Sequence, residues 1–229
     1  MPAIIDWSNQ NSGFLTLVLF VLTLAFGWVS GIFKALMHKP DFKIGLLPVP
    51  TFICTYPTEQ QFNQENTHRT AAVVYLKITN IGAAPAQITS VRLGYHNHSF
   101  KYTFLWYWLN QISSIGDFGH TVGENLRVFP FLFQKSVLLP QTVHTYLQAG
   151  QETNGIVYFE QPHSWGSYRP RVKNKKTNVL IRVTDAYGNN YSKSFKIDVV
   201  DIDYARKFNC NFGNTLALVD EHPIETWIQ

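Results

Sequence analysis

The sequence predicts a mainly β protein: one transmembrane helix at the N-terminus, then a single antiparallel β-sandwich with an aromatic-rich insert and a short C-terminal helix. Three observations predict it. Residues 13–33 contain no charged side chain. Several later stretches alternate apolar and polar side chains with period two, the mark of half-buried strands. Turn signals rich in Asn, Gly and Pro separate those stretches, and helical periodicity is scarce.

Composition sets the bounds. The 229 residues carry 19 Lys+Arg against 15 Asp+Glu, a net charge of +4. With 45% hydrophobic and 15% charged residues, intrinsic disorder is excluded. Two cysteines exclude a disulfide-stapled scaffold and a four-thiolate zinc site.

Residues 1–12 read as a short extracytoplasmic N-terminus and residues 13–36 as the membrane helix. The uncharged run of 21 residues reaches roughly 32 Å at about 1.5 Å each, enough for a hydrocarbon core of about 30 Å. Trp28 falls near the interface, where indoles favour the headgroup zone. A cleaved signal peptide is the rival reading. It wants a basic stretch before the apolar run, and residues 1–12 hold only Asp6 as a charged side chain. Cutting after Ala25-Phe26-Gly27 would leave an apolar remainder.

Lys34, Lys39 and Lys43 follow the helix. The positive-inside rule then places the C-terminal domain in the cytoplasm and the chain in the inner (cytoplasmic) membrane as a single-pass protein. Cys54 and Cys210 are expected as free thiols there. Thr23, Gly27, Gly31 and Ala35 recur every four residues and form a small-residue face. Such a face lets two helices approach closely in lipid, so a homo-oligomer is expected. The bland alternative is that Gly is simply common in membrane helices.

Residues 37–43 form a link, and the sandwich domain runs over residues 44–229. Its strands are expected at 49–56, 72–80, 89–95, 126–133, 143–147, 155–160, 178–184 and 191–200. In residues 72–80, Val74, Leu76 and Ile78 share one face while Tyr75, Lys77 and Thr79 take the other. The insert covers about residues 96–141 and the tail 201–229. Residues 201–209 predict a short helix capped by Asp201 and ended near Gly213.

The run YLKITNIGAAPAQITSVRLGY, residues 75–95, resembles the strand–turn–strand of bacterial immunoglobulin-like domains, with Asn80, Gly82 and Pro85 at the bend. As a whole the chain is similar to uncharacterised bacterial single-pass membrane proteins with a C-terminal immunoglobulin-like β-sandwich domain. The resemblance implies a fold and no catalytic or binding residues. The Cys–Trp–Cys pin of antibody domains is missing.

Three constellations are candidates for chemistry. Trp106, Tyr107 and Trp108 in the insert are read as packing on the sandwich, with partner or membrane contact as the functional alternative. Arg169, Arg171, Lys173, Lys175 and Lys176 crowd into one basic stretch. It is a solvated loop in the bland reading and a contact for lipid or another anionic ligand in the functional one. His96 and His98, with His120, His144 and His163 elsewhere, would suit a metal only if the fold gathered them. Asp198, Asp201 and Asp203 lack the glycine bend and terminal Glu of a calcium loop.

No catalytic motif of fixed spacing occurs, and no cofactor or metal is expected. The expected function is a membrane-anchored, non-enzymatic cytoplasmic interaction module that self-associates and binds a protein partner. The alternative is a membrane effector of a bacterial stress or antiviral response. Membrane lipid is an expected contact; nucleic acid or nucleotide ranks below a protein partner.

Overall fold

The computed structural model describes Trp7 and residues 10–30, 38–97, 105–139, 143–216 and 218. The chain divides into two units, Met1–Lys39 and Pro40–Gln229.

In the first unit, helix α1 spans Ser12–Val29, and none of its residues is buried. It is long and apolar enough to cross a membrane. Leu, Val and Phe side chains point to every side, so the helix matches an apolar surround rather than one core face. The hydroxyls of Thr16 and Thr23 donate to the carbonyls of Ser12 and Leu19, both at 2.8 Å, so the helix satisfies its own polar side chains. Gly31 and Ala35 lie outside the described residues, and the small-residue face is described only at Thr23 and Gly27.

The second unit is a closed barrel, which corrects the expected immunoglobulin-like β-sandwich. Its strands are β1 (Phe42–Leu46), β2 (Phe52–Phe62), β3 (Glu65–Asn80), β4 (Ala86–Tyr95), β5 (Tyr107–Ile112), β6 (Gly119–Val122), β7 (Asn125–Val128), β8 (Tyr146–Leu147), β9 (Glu152–Glu160), β10 (Lys176–Asp185) and β11 (Asn190–Val200). The ring runs β3-β2-β11-β10-β4-β5-β9 and returns to β3. β3, 16 residues long, takes β2 and then β1 along one edge and β9 along the other. β5 leaves β4 after Arg92↔Asn110 and crosses to β9, pairing Gln111 with Phe159 and Ile112 with Tyr158. That crossing closes the ring, and closure removes the exposed edges an open sandwich keeps. One seam, β2 with β11, is parallel, against the all-antiparallel expectation.

Two apolar regions hold the unit together. The barrel interior takes side chains from all seven ring strands, among them Ile53, Val74, Leu93, Leu109, Phe159, Ile181 and Ile197. A second region lies on the outer face of β2, β3 and β9. There Phe52, Val73, Tyr75, Ile156 and Tyr158 are covered by Phe118 and Phe131 of the insert and by Ala205 and Phe212 of the tail. This double covering explains the uninterrupted burial of residues 69–76 in β3.

Phe42 and Lys43, assigned to the link from sequence, belong to β1. The expected strand 126–133 divides into β7, paired only with β6, and a single bridge from Phe131 to Ile156. The tail helix α2 spans Ile202–Arg206; Asp201 sits at its N-cap in extended backbone without a side-chain cap bond.

Candidate anion-binding site

The basic stretch is not a loose loop. Lys173 N–H donates to the Lys176 carbonyl at 2.8 Å, and Lys176 N–H returns to Lys173 at 3.1 Å. Between them Asn174 and Lys175 take φ of 54° and 57°. Two central residues in the left-handed region make the tight hairpin turn that fits strand twist; Asn tolerates this readily and Lys less so. The turn is also tied from outside. Arg171 N–H donates to the His96 carbonyl at the end of β4, and Val199 N–H of β11 donates to the Lys175 carbonyl, both at 2.8 Å.

Around this turn lies a concavity of about 700 Å³, lined by His96, Arg171, Lys173, Asn174, Lys176, Thr177, Asn178 and Lys196. Its volume falls within the roughly 300–1,000 Å³ usual for small-molecule sites. Arg169 and Lys175 of the basic stretch are not in its lining. Lys196 is a residue that sequence reading missed. The β10–β11 register sets it directly opposite Asn178, and no local motif reports a cross-strand neighbour.

Four cations therefore share one cavity, and Lys176 reaches the Asp198 carboxylate at 3.2 Å. Both of those side chains are about half exposed, so the pair contributes little stability. Lys173 and Lys196 make no ion pair among the described residues.

His96, considered from sequence as a metal ligand, is instead one wall of this cavity. Its Nδ1–H donates to the Leu105 carbonyl at 2.9 Å, and its ring packs on Trp106 with centroids 3.8 Å apart. Trp106 and Trp108 stand 6.5 Å apart on the outer face of the sheet, half-buried, while Leu109 points into the barrel. The Arg182 guanidinium lies 4.2 Å over Trp108. Tyr107 packs against the interior and against Tyr95. His98 lies outside the described residues. His120 stacks on Phe208 and His163 hydrogen-bonds Arg69, so neither joins His96. Among the described residues no group of three metal-ligating side chains forms.

A second polar cluster is buried beneath the tail. Arg69 Nη1 lies 3.5 Å from Glu160 Oε1, with the side chains 2% and 0% exposed. Tyr158 O–H donates to Glu160 Oε2 at 2.8 Å, and Leu216 N–H to Oε1 at 3.2 Å. Gly213 N–H donates to the Tyr158 oxygen at 2.9 Å, and Tyr56 O–H to the Gly213 carbonyl at 2.6 Å. Burial pushes the Glu160 carboxyl up; the Tyr158 hydroxyl, the Leu216 N–H and the Arg69 charge oppose that rise. The cluster clamps residues 213–216 onto β9.

No family model matches the chain, and no curated protein matches it. Among solved structures, a Bordetella pertussis chain named as the ApaA protein is similar at 11% identity with a TM-score of 0.25, covering 70% of this chain and 94% of that chain.

Proposed function

We propose that the chain is a membrane-anchored, non-enzymatic interaction module. The single observation that carries the reading is α1, an 18-residue apolar helix with no buried residue, joined by a short link to an independently compact barrel. A soluble protein would leave that helix without an apolar surround. In this reading α1 crosses the inner membrane once, and Lys34, Lys39 and Lys43 keep the barrel on the cytoplasmic side. Helices associate through Thr23, Gly27, Gly31 and Ala35, and the clustered barrels engage a protein partner. Tethering raises local concentration, so weak contacts suffice.

Alkaline washing of membranes from expressing cells tests the anchor. The uncleaved chain should remain in the washed membrane. A soluble chain whose N-terminus begins near Trp28 would instead identify the apolar run as a cleaved signal.

A further inference from the structure

We propose that the concavity beside the Lys173–Lys176 turn binds a ligand bearing phosphate groups. The lining holds Arg171, Lys173, Lys176 and Lys196; Lys176 has the Asp198 carboxylate beside it, while Lys173 and Lys196 make no ion pair among the described residues, so the concavity complements a ligand with more than one negative charge. A single carboxylate supplies one; a phosphate monoester carries about −1.5 to −2 at neutral pH and three strong acceptor oxygens. The backbone that carries Arg171, Lys173 and Lys176 is also preorganised. The turn, the Arg171–His96 backbone bond and the Lys175–Val199 backbone bond fix the stretch before any ligand arrives, which reduces the ordering cost of binding. Asn174, Thr177 and Asn178 supply neutral polar groups in the same lining. The Asp198 carboxylate, 3.2 Å from Lys176, opposes an anion and competes with it for that lysine.

Both a free phosphorylated metabolite and an anionic lipid headgroup present this chemistry, and the test separates them. It does not depend on the tether, because a chain without an anchor would still bind in buffer. The full chain is placed in phosphatidylcholine nanodiscs and titrated with inorganic pyrophosphate by calorimetry. The wild type should bind. Lys173→Gln with Lys196→Gln should weaken binding by roughly tenfold or more, since two charge-assisted contacts are lost. Lys135→Gln with Lys207→Gln removes the same charge outside the concavity and should change affinity by no more than about twofold, because exposed distant charges are screened. Asp198→Asn should tighten binding.

Repeating the titration in discs containing phosphatidylglycerol identifies the source. Unchanged pyrophosphate affinity assigns a free ligand; suppressed binding by the wild type assigns the lipid headgroup. No heat of binding in phosphatidylcholine would overturn the proposal, as would equal loss in both lysine pairs. Circular dichroism melts of the variants confirm that the barrel is intact in each comparison.

Discussion

Single polar residues do structural work that their burial makes measurable. Asn80 is fully buried. Its Nδ2 donates to the carbonyls of Ala84 at 2.8 Å and Leu147 at 3.1 Å, while its Oδ1 accepts from Gly82 N–H at 3.0 Å and Asp41 N–H at 3.3 Å. One amide thus ties the β3–β4 bend to the starts of β1 and the end of β8. Asn80→Ala should cost about 2–4 kcal/mol in urea unfolding, because several backbone groups lose their partner. Asp185 plays a similar part in the β10–β11 turn, accepting from Tyr187 N–H, Asn189 N–H, the Asn189 amide and Tyr191 O–H. Burial alone would raise its carboxyl, yet the bonds from Asn189, Tyr191 and Tyr187 hold it below the usual range. A carboxyl depressed on folding contributes stability above its unfolded pKa of about 3.9, and that contribution is lost as pH falls through the folded value. The stability gap between wild type and Asp185→Asn should therefore be present at neutral pH and close in strong acid. A gap unchanged in acid would assign the effect to shape rather than charge.

At the scale of elements, the sequence reads Trp106, Tyr107 and Trp108 as packing on the domain, with partner or membrane contact as the alternative, and the structure leaves all three half-buried. The alternation of Trp106 and Trp108 around Tyr107 is visible in the sequence, but so short a run suits extra strand or helix alike, and β5 is absent from the expected strands. The face depends on β5 crossing between β4 and β9, a long-range pairing with no local signature. Gly94 shows how the pair is accommodated. A Cβ there would lie 3.1 Å from the Trp108 ring and 3.3 Å from the Trp106 Cβ, so the glycine leaves room for both indoles. Because both tryptophans are half-buried, Trp108→Ala should cost about 1–2 kcal/mol rather than the roughly 3–5 kcal/mol of a fully buried aromatic. Thermal melts of the single variants measure this. A short tail helix was legible, but it ends at Arg206 rather than near Gly213, and its docking was not legible, since the Tyr158–Glu160 clamp comes from β9. Gly213 has φ +82°, and a Cβ would lie 2.5 Å from the Tyr56 hydroxyl. Gly213→Ala should cost about 1–3 kcal/mol and expose the tail to limited proteolysis.

At the scale of the molecule, alternation in the sequence reports that each strand has one buried face, and both sandwich and barrel satisfy that. The choice is made by β3 and β4, each long enough to serve partners on both edges, and by the two short seams that complete the ring. Those seams are Gln111↔Phe159 with Ile112↔Tyr158, and the three parallel pairs of β2 with β11. The basic stretch was legible as a charge cluster; the cavity was not, because His96 reaches it from just beyond β4 and Lys196 from β11. Two cysteines allow the central claim to be tested without any substitution. Cys54 is buried, with its thiol pushed up to about 12 by burial first and by the Asp201 charge second, so it is inert toward maleimide. Cys210 is exposed on the barrel unit and reports its location. Sealed spheroplasts of the expressing bacterium are treated with a membrane-impermeant maleimide, and the chain is then recovered from alkaline-washed membranes. A membrane-anchored module with a cytoplasmic barrel predicts a washed-membrane chain labelled at Cys210 only after lysis. Labelling in sealed spheroplasts, or no chain in the washed membranes, would contradict it.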